Sequence, residues 1–200
     1  MKGTSYIKLL AAVLLFGASM AHGQAGGSAP FGLENGQAPP LQVSFQYQAT
    51  HANAPPGQCG CFWMQGGGLQ AVRSFWPNLS VVVDVFYGAN GAINNTDEQI
   101  SVFDYTFGPR YNYRNSTRYT PYGQVLGGAS HVSSNYFAYK SGETSVALQA
   151  GLGVEMNIKR HISIIPLEAD WVYSRAKNGL NTHQNNTRAG FGVIYRFGPG

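Results

Sequence analysis

The sequence predicts an all-β fold, an eight-stranded antiparallel up-and-down barrel, and three observations predict it. Apolar and polar residues alternate with a period of two over segments of about ten residues, the signature of strands with unlike faces. The segments number eight, and the connections between them are short and long by turns. After the first two dozen residues no apolar run approaches the ~20 residues that a membrane-spanning helix needs.

The N-terminus carries Lys2 and Lys8, an apolar stretch over 9–16 (LLAAVLLF), and then the small residues Gly17, Ala18, Ser19, Ala21, Gly23 and Ala25. That order is the layout of a secretory signal peptide, assigned to 1–25 with cleavage after Gly23 or Ala25. Residues 26–40, rich in Gly, Pro and Ala, read as a flexible lead-in, and 41–200 as a barrel. The roughly 175 residues left after cleavage fit one domain. Two of the 13 Lys and Arg lie in the leader, so the mature chain nearly balances them against its 9 Asp and Glu. Such a balance argues against a nucleic-acid surface. Charged residues make up only 11% of the chain, where ~25% is usual. Alternation within strands reconciles an apolar surface with a mean hydropathy of -0.17.

The first strand sets Leu41, Val43, Phe45, Tyr47 and Ala49 against Gln42, Ser44, Gln46, Gln48 and Thr50. The third sets Leu79, Val81, Val83, Val85 and Tyr87 against Ser80, Asp84 and Gly88, and the fourth Phe103, Tyr105, Phe107, Pro109, Tyr111 and Tyr113 against Asp104, Thr106, Gly108, Arg110, Asn112 and Arg114. In the sixth, Val146, Leu148, Ala150, Leu152, Val154 and Met156 alternate with Gln149, Gly151, Gly153 and Glu155. In the seventh, Ile165, Leu167, Ala169, Trp171 and Tyr173 alternate with Glu168 and Asp170; in the eighth, Ala189, Phe191, Val193, Tyr195 and Phe197 alternate with Arg188, Gly190, Gly192 and Arg196. The second (66–75) and fifth (120–132) have strand length but blurred alternation. Connections 76–78, 115–119 and 157–161 are short, whereas 51–65, 89–99, 133–143 and 175–185 are long and polar. Short turns on one rim and long loops on the other are the asymmetry of an outer-membrane barrel, with the short side periplasmic.

Alternation alone leaves open whether the apolar face looks inward, as in a lipocalin-like barrel, or outward into lipid. The polar face decides. It holds five of the nine acids, is rich in Gly and has no Lys within the expected strands, unlike a surface in water, which is crowded with Lys and Glu. It suits the inside of a narrow barrel. Tyr87, Tyr111, Tyr113, Trp171, Tyr173, Tyr195 and Phe197 fall near strand ends on the apolar face, where aromatic girdles form. The expected fold is therefore a transmembrane β-barrel with its apolar face toward lipid.

The run Phe107-Gly108-Pro109-Arg110-Tyr111 leads through a short turn to Pro121-Tyr122-Gly123. Gly151-Leu152-Gly153-Val154-Glu155 and the closing Gly190-Phe191-Gly192-Val193-Ile194-Tyr195-Arg196-Phe197 complete the motifs. With these the chain resembles the small eight-stranded outer-membrane β-barrels of the OmpA and opacity-protein type, over 41–197. The resemblance specifies architecture well and function hardly at all. It implies residence in the bacterial outer membrane.

One set of candidate site residues is the lumen charge network of Asp84, Asp104, Glu155, Glu168 and Asp170 with Arg110, Arg188 and Arg196. Eight strands leave an interior just wide enough for side chains, and pairing Glu155, Glu168 and Asp170 with the three arginines would plug it. Cys59 and Cys61 flank Gly60 in the first long loop. In an exported chain a disulfide acting as a loop staple is the preferred reading; with His51 the loop offers a zinc ion three ligands at most, where four are wanted. His51, His131 and His183 fall near the outer rim and His161 in a periplasmic turn, as solvated residues. Ser130 beside His131 is the only nucleophile–base adjacency, and neighbours on a strand face opposite ways. No phosphate loop, helical metal motif or basic nucleic-acid stripe occurs, and no cofactor is expected. The expected partners are outer-membrane lipid and an extracellular ligand met by loops carrying Phe62, Trp63, Tyr136, Phe137 and Tyr139. The expected role is non-enzymatic and structural or surface-interacting, with a small channel, and after it an outer-rim enzyme, as alternatives.

Overall fold

The computed structural model describes residues 41–52, 62–91, 99–114, 117–136, 139–176 and 182–197. The expected leader (1–25), the lead-in (26–40), Cys59, Cys61 and Phe137 lie outside the described residues. Eight strands follow one another: β1 (Leu41–Ala52), β2 (Phe62–Ser74), β3 (Leu79–Asn90), β4 (Gln99–Asn112), β5 (Tyr119–Tyr136), β6 (Tyr139–Asn157), β7 (Ile162–Ser174) and β8 (Gln184–Phe197). Each pairs antiparallel with the next, and β8 returns to β1 to close a barrel. The seam runs in register from Leu41 opposite Phe197 to His51 opposite Thr187. Closure removes sheet edges along the seam, so the wall satisfies its own backbone hydrogen bonds, as hydrocarbon surroundings require.

The facing is the inverse of a soluble protein. In β1, Gln42, Ser44, Gln46, Gln48 and Thr50 are buried inside while Phe45 and Tyr47 look outward. On the outside Phe45 is 67% exposed, Phe107 67%, Leu152 71% and Leu167 59%. A wall of that kind is stable only against lipid. Phe75, Trp76, Tyr111, Tyr113, Tyr119, Tyr195 and Phe197 ring the short-turn end and Trp63, Tyr87 and Trp171 the other, all exposed. These are the two aromatic girdles.

The short turns are tied to the wall and to one another. Leu79 N–H donates to Trp76 O across the first turn, Arg114 Nε donates to Pro77 O at 2.6 Å, and Asn157 N–H donates to Arg118 O at 2.8 Å. Arg114 and Tyr113, expected within the fourth strand, lie beyond its end at Asn112. The long loops are shorter than expected because the strands run on. β5 and β6 stay paired up to Tyr136 opposite Tyr139, so most of the expected loop 133–143 is a hairpin extension, and Lys140 lies within a strand after all. Above the membrane both faces of a strand are polar, so the alternation that marks it disappears.

Two facings differ from expectation. β7 carries one extra residue relative to both neighbours: its register with β8 shifts between Ile165 and Glu168, and with β6 between Val154 and Met156. Pro166 and Leu167 both look outward in this bulge, the place where a strand tolerates a residue without an N–H. Ile165, expected on the lipid face, therefore turns inward and is 1% exposed. Phe62, expected on an outer loop, begins β2 and faces inward, packed with Ala52, Met64 and Val102.

Candidate functional site

All eight residues of the expected lumen network point inward and are buried. Burying so much charge is tolerable only with partners, and the partners form two groups. Near the short-turn end, Arg110 donates through Nε to Gln124 Oε1 at 3.0 Å and through Nη2 to Gln70 Oε1 at 2.6 Å. Its Nη1 lies 3.5 Å from Glu155, and its guanidinium stacks 4.0 Å from the Tyr122 ring centroid. Arg196 reaches the other oxygen of Glu155 at 3.3 Å and also bonds Asn157. One carboxylate thus sits between two arginines. Toward the long-loop end Arg188 pairs with Asp104 and stacks 3.6 Å above the Phe86 ring centroid.

The expected partnership of Glu168 and Asp170 with arginines is not what the interior contains. Glu168 accepts hydrogen bonds from neutral donors: Gln46 Nε2 at 3.2 Å, Gln70 Nε2 at 2.9 Å, Gln124 Nε2 at 3.2 Å and the Tyr122 hydroxyl. Asp170 stands opposite Arg188 in the register of β7 and β8 but bonds Gln124 at 3.4 Å. Asp104 takes Arg188 instead. Asp84 is fully buried, and no side chain reaches either of its oxygens in hydrogen-bonding geometry. Gln70 and Gln124 each touch both Arg110 and Glu168, so the glutamines join Glu168 and Asp170 to the Arg110 group, while the Arg188–Asp104 pair stands apart.

Phe86, Tyr122, Val82 and Leu126 also fill the lumen, and sequence reasoning missed them. Val82 and Phe86 sit in the unbroken run Val81-Val82-Val83 and Val85-Phe86-Tyr87, where an apolar inward residue cannot be told from its outward neighbours. A usable signal lay in the glycines. A Cβ at Gly88 would come within 2.7 Å of the Phe86 ring, so the inward Gly88 marks space that a large neighbour occupies. Toward the long-loop end the lumen keeps a small cavity with room for about one water molecule, lined among others by Thr50, Met64, Phe86, Val102 and Val132.

On the outer wall His131 Nδ1 lies 2.8 Å from Thr144 Oγ1 and its Nε2 3.2 Å from Ser133 Oγ. Ser130 points into the lumen, on the other side of the wall from His131. The hydroxyl within reach of the imidazole is thus Ser133, and the ring is oriented by a threonine rather than a carboxylate. His51 packs against Trp63, His183 stacks on Tyr173 and His161 on Tyr195. No cluster of three or more His, Cys, Asp or Glu able to hold a metal exists among the described residues.

The barrel is similar to solved outer-membrane proteins. Neisserial surface protein A matches with a TM-score of 0.65 at 16% identity, covering 78% of this chain and 97% of that one. Ail, the attachment invasion locus protein of Yersinia pestis, matches with a TM-score of 0.56 at 17% identity, covering 78% and 97%. OprG from Pseudomonas aeruginosa matches with a TM-score of 0.54 at 12% identity, covering 81% and 97%. At these identities the likeness is one of fold. No curated protein sequence matches the chain. The model of the outer membrane protein beta-barrel domain matches residues 9–197, and with the closed eight-stranded wall, its outward apolar face and its two girdles, the chain belongs to that family and resides in the bacterial outer membrane.

Proposed function

We propose that the protein is a non-enzymatic surface platform, in which a rigid, internally plugged barrel holds an outer rim that meets a ligand outside the cell. The observation that carries this reading is the overshoot of β5 and β6, with β4 beside β5 up to Asn135, past the end of β7. Their mutual pairing runs to Tyr136 and Tyr139, whereas β6 pairs with β7 only from Ala147 opposite Ser174. At ~3.3 Å per residue the eight residues 139–146 reach about 25 Å beyond that pairing. The filled lumen below supports a scaffold role in preference to transport. The structure of Ail has been solved in complex with the heparin analogue sucrose octasulfate; a polyanionic surface ligand for this chain is a matter for test. Replacing 134–141 by a tight turn is expected to leave the protein folded in the membrane, seen as an unchanged heat-dependent gel shift, while cells lose surface adhesion or envelope resistance. Unchanged phenotypes in the folded variant would overturn the proposal.

A second reading, a small channel, is favoured by one observation. Five acids and three arginines of the network share the lumen, and neither carboxylate oxygen of Asp84 accepts a hydrogen bond. Single-channel recording of the refolded protein in planar bilayers separates the readings.

A further inference from the structure

We propose that the short-turn end of the barrel is a binding belt for anionic phospholipid of the phosphatidylglycerol type in the periplasmic leaflet. Five basic residues gather there on three elements: Arg73 near the end of β2, Arg114 and Arg118 in the turn after β4, and Lys159 and Arg160 in the turn after β6. Arg118, Lys159 and Arg160 are exposed. Among the described residues no Asp or Glu lies on the outside of this end; Glu155, the nearest, is inside the wall and already held by Arg110 and Arg196.

Arg73 is the most telling of the five. Its cross-strand neighbours are Leu41 and Val81, both on the outward face, so it is a charged side chain on the lipid side of the wall. Its guanidinium lies over the Phe75 ring, 5.9 Å from the centroid. Leu41 is in turn paired with Phe197 of the girdle, which sets Arg73 at the depth of the membrane interface. A cation at that depth without a protein carboxylate extends toward the headgroups, where phosphate oxygens accept its hydrogen bonds. The exposed Arg118, Lys159 and Arg160 add charge on the same rim. A zwitterionic headgroup answers each phosphate with its own ammonium group, whereas phosphatidylglycerol leaves a net negative charge to match the belt.

The test measures association of spin-labelled phosphatidylglycerol and spin-labelled phosphatidylcholine with the full chain refolded in phosphatidylcholine bilayers. The wild type is expected to prefer the anionic label, roughly fivefold for each basic residue in contact, with the preference fading as salt is raised. The variant Arg73→Gln, Arg118→Gln, Lys159→Gln is expected to fall toward parity, Arg73→Lys to keep most of the preference, and Arg175→Gln at the opposite end to keep all of it. The two turn substitutions alone, which leave the wall untouched, serve if the triple variant does not fold. Equal association of both labels with the wild type, or a preference that survives the triple change in a folded barrel, would overturn the proposal.

Discussion

Arg110 and Arg196 share Glu155, yet they are not equivalent residues. Arg110 is 1% exposed, stacks on Tyr122 and satisfies carbonyl oxygens on both Gln70 and Gln124; Arg196 adds only Asn157. Removing Arg110 strips three acceptors and a ring face at once, while removing Arg196 leaves Glu155 its other arginine. Breaking a buried charge group by deleting one partner costs about 3 to 5 kcal/mol, so Arg110→Ala is expected to lose stability in that range and Arg196→Ala clearly less. Urea unfolding in lipid vesicles measures both. Equal losses would mean that Glu155 depends on Arg196 as much as on Arg110, against the bond pattern. Glu168 illustrates what residue identity alone could not say. A buried carboxylate suggests an arginine, but a glutamine-rich lumen supplies neutral N–H donors from Gln46, Gln70 and Gln124, and which partner wins depends on strand register.

At the level of the strand, β7 shows where the period of two fails. Its sequence reads as continuous alternation from Ile165 to Tyr173, but Pro166 and Leu167 occupy the bulge and the facing before them is reversed. A fluorophore on Ile165→Cys is expected to escape quenching by brominated lipid, and one on Leu167→Cys to be quenched. In the same strand Leu167→Arg is expected to cost about 2 to 4 kcal/mol of insertion if it lies near the midplane, with the lumen change Gln149→Arg milder because carboxylates lie on that side. Quenching at both cysteine positions would place Ile165 on the lipid face and remove the bulge. The strands, their order, and the outward apolar face were legible because lipid on one side and a polar lumen on the other impose unlike neighbours on successive residues. Strand ends above the bilayer, as in β5 and β6, were not, since water on both sides erases the contrast. Apolar lumen residues such as Phe86 were equally hidden, because the period records polarity and not direction.

Across the whole barrel the balance of lumen charge is the property that no single strand determines. Asp104 comes from β4, whereas Asp170 and Arg188 come from β7 and β8, and closure of the barrel puts them in one space. The network holds five acids and three arginines, so its formal charge is negative when all five acids are ionised. Leu126, Gln149 and Thr106 are buried in the lumen as well, and Thr106 donates to Gln149 across it at 3.3 Å. Any ionic current therefore requires rearrangement of the network, and the ions admitted are those that complement its formal charge. In planar bilayers the refolded protein is expected to give rare, small openings rather than a steady porin-sized conductance, and under a salt gradient their reversal potential is expected to indicate cation selectivity. Asp84→Asn removes a carboxylate that accepts no hydrogen bond from a side chain, so it is expected to weaken that selectivity with little loss of fold. Anion selectivity, or a selectivity indifferent to Asp84, would show that ions pass by a route other than this lumen.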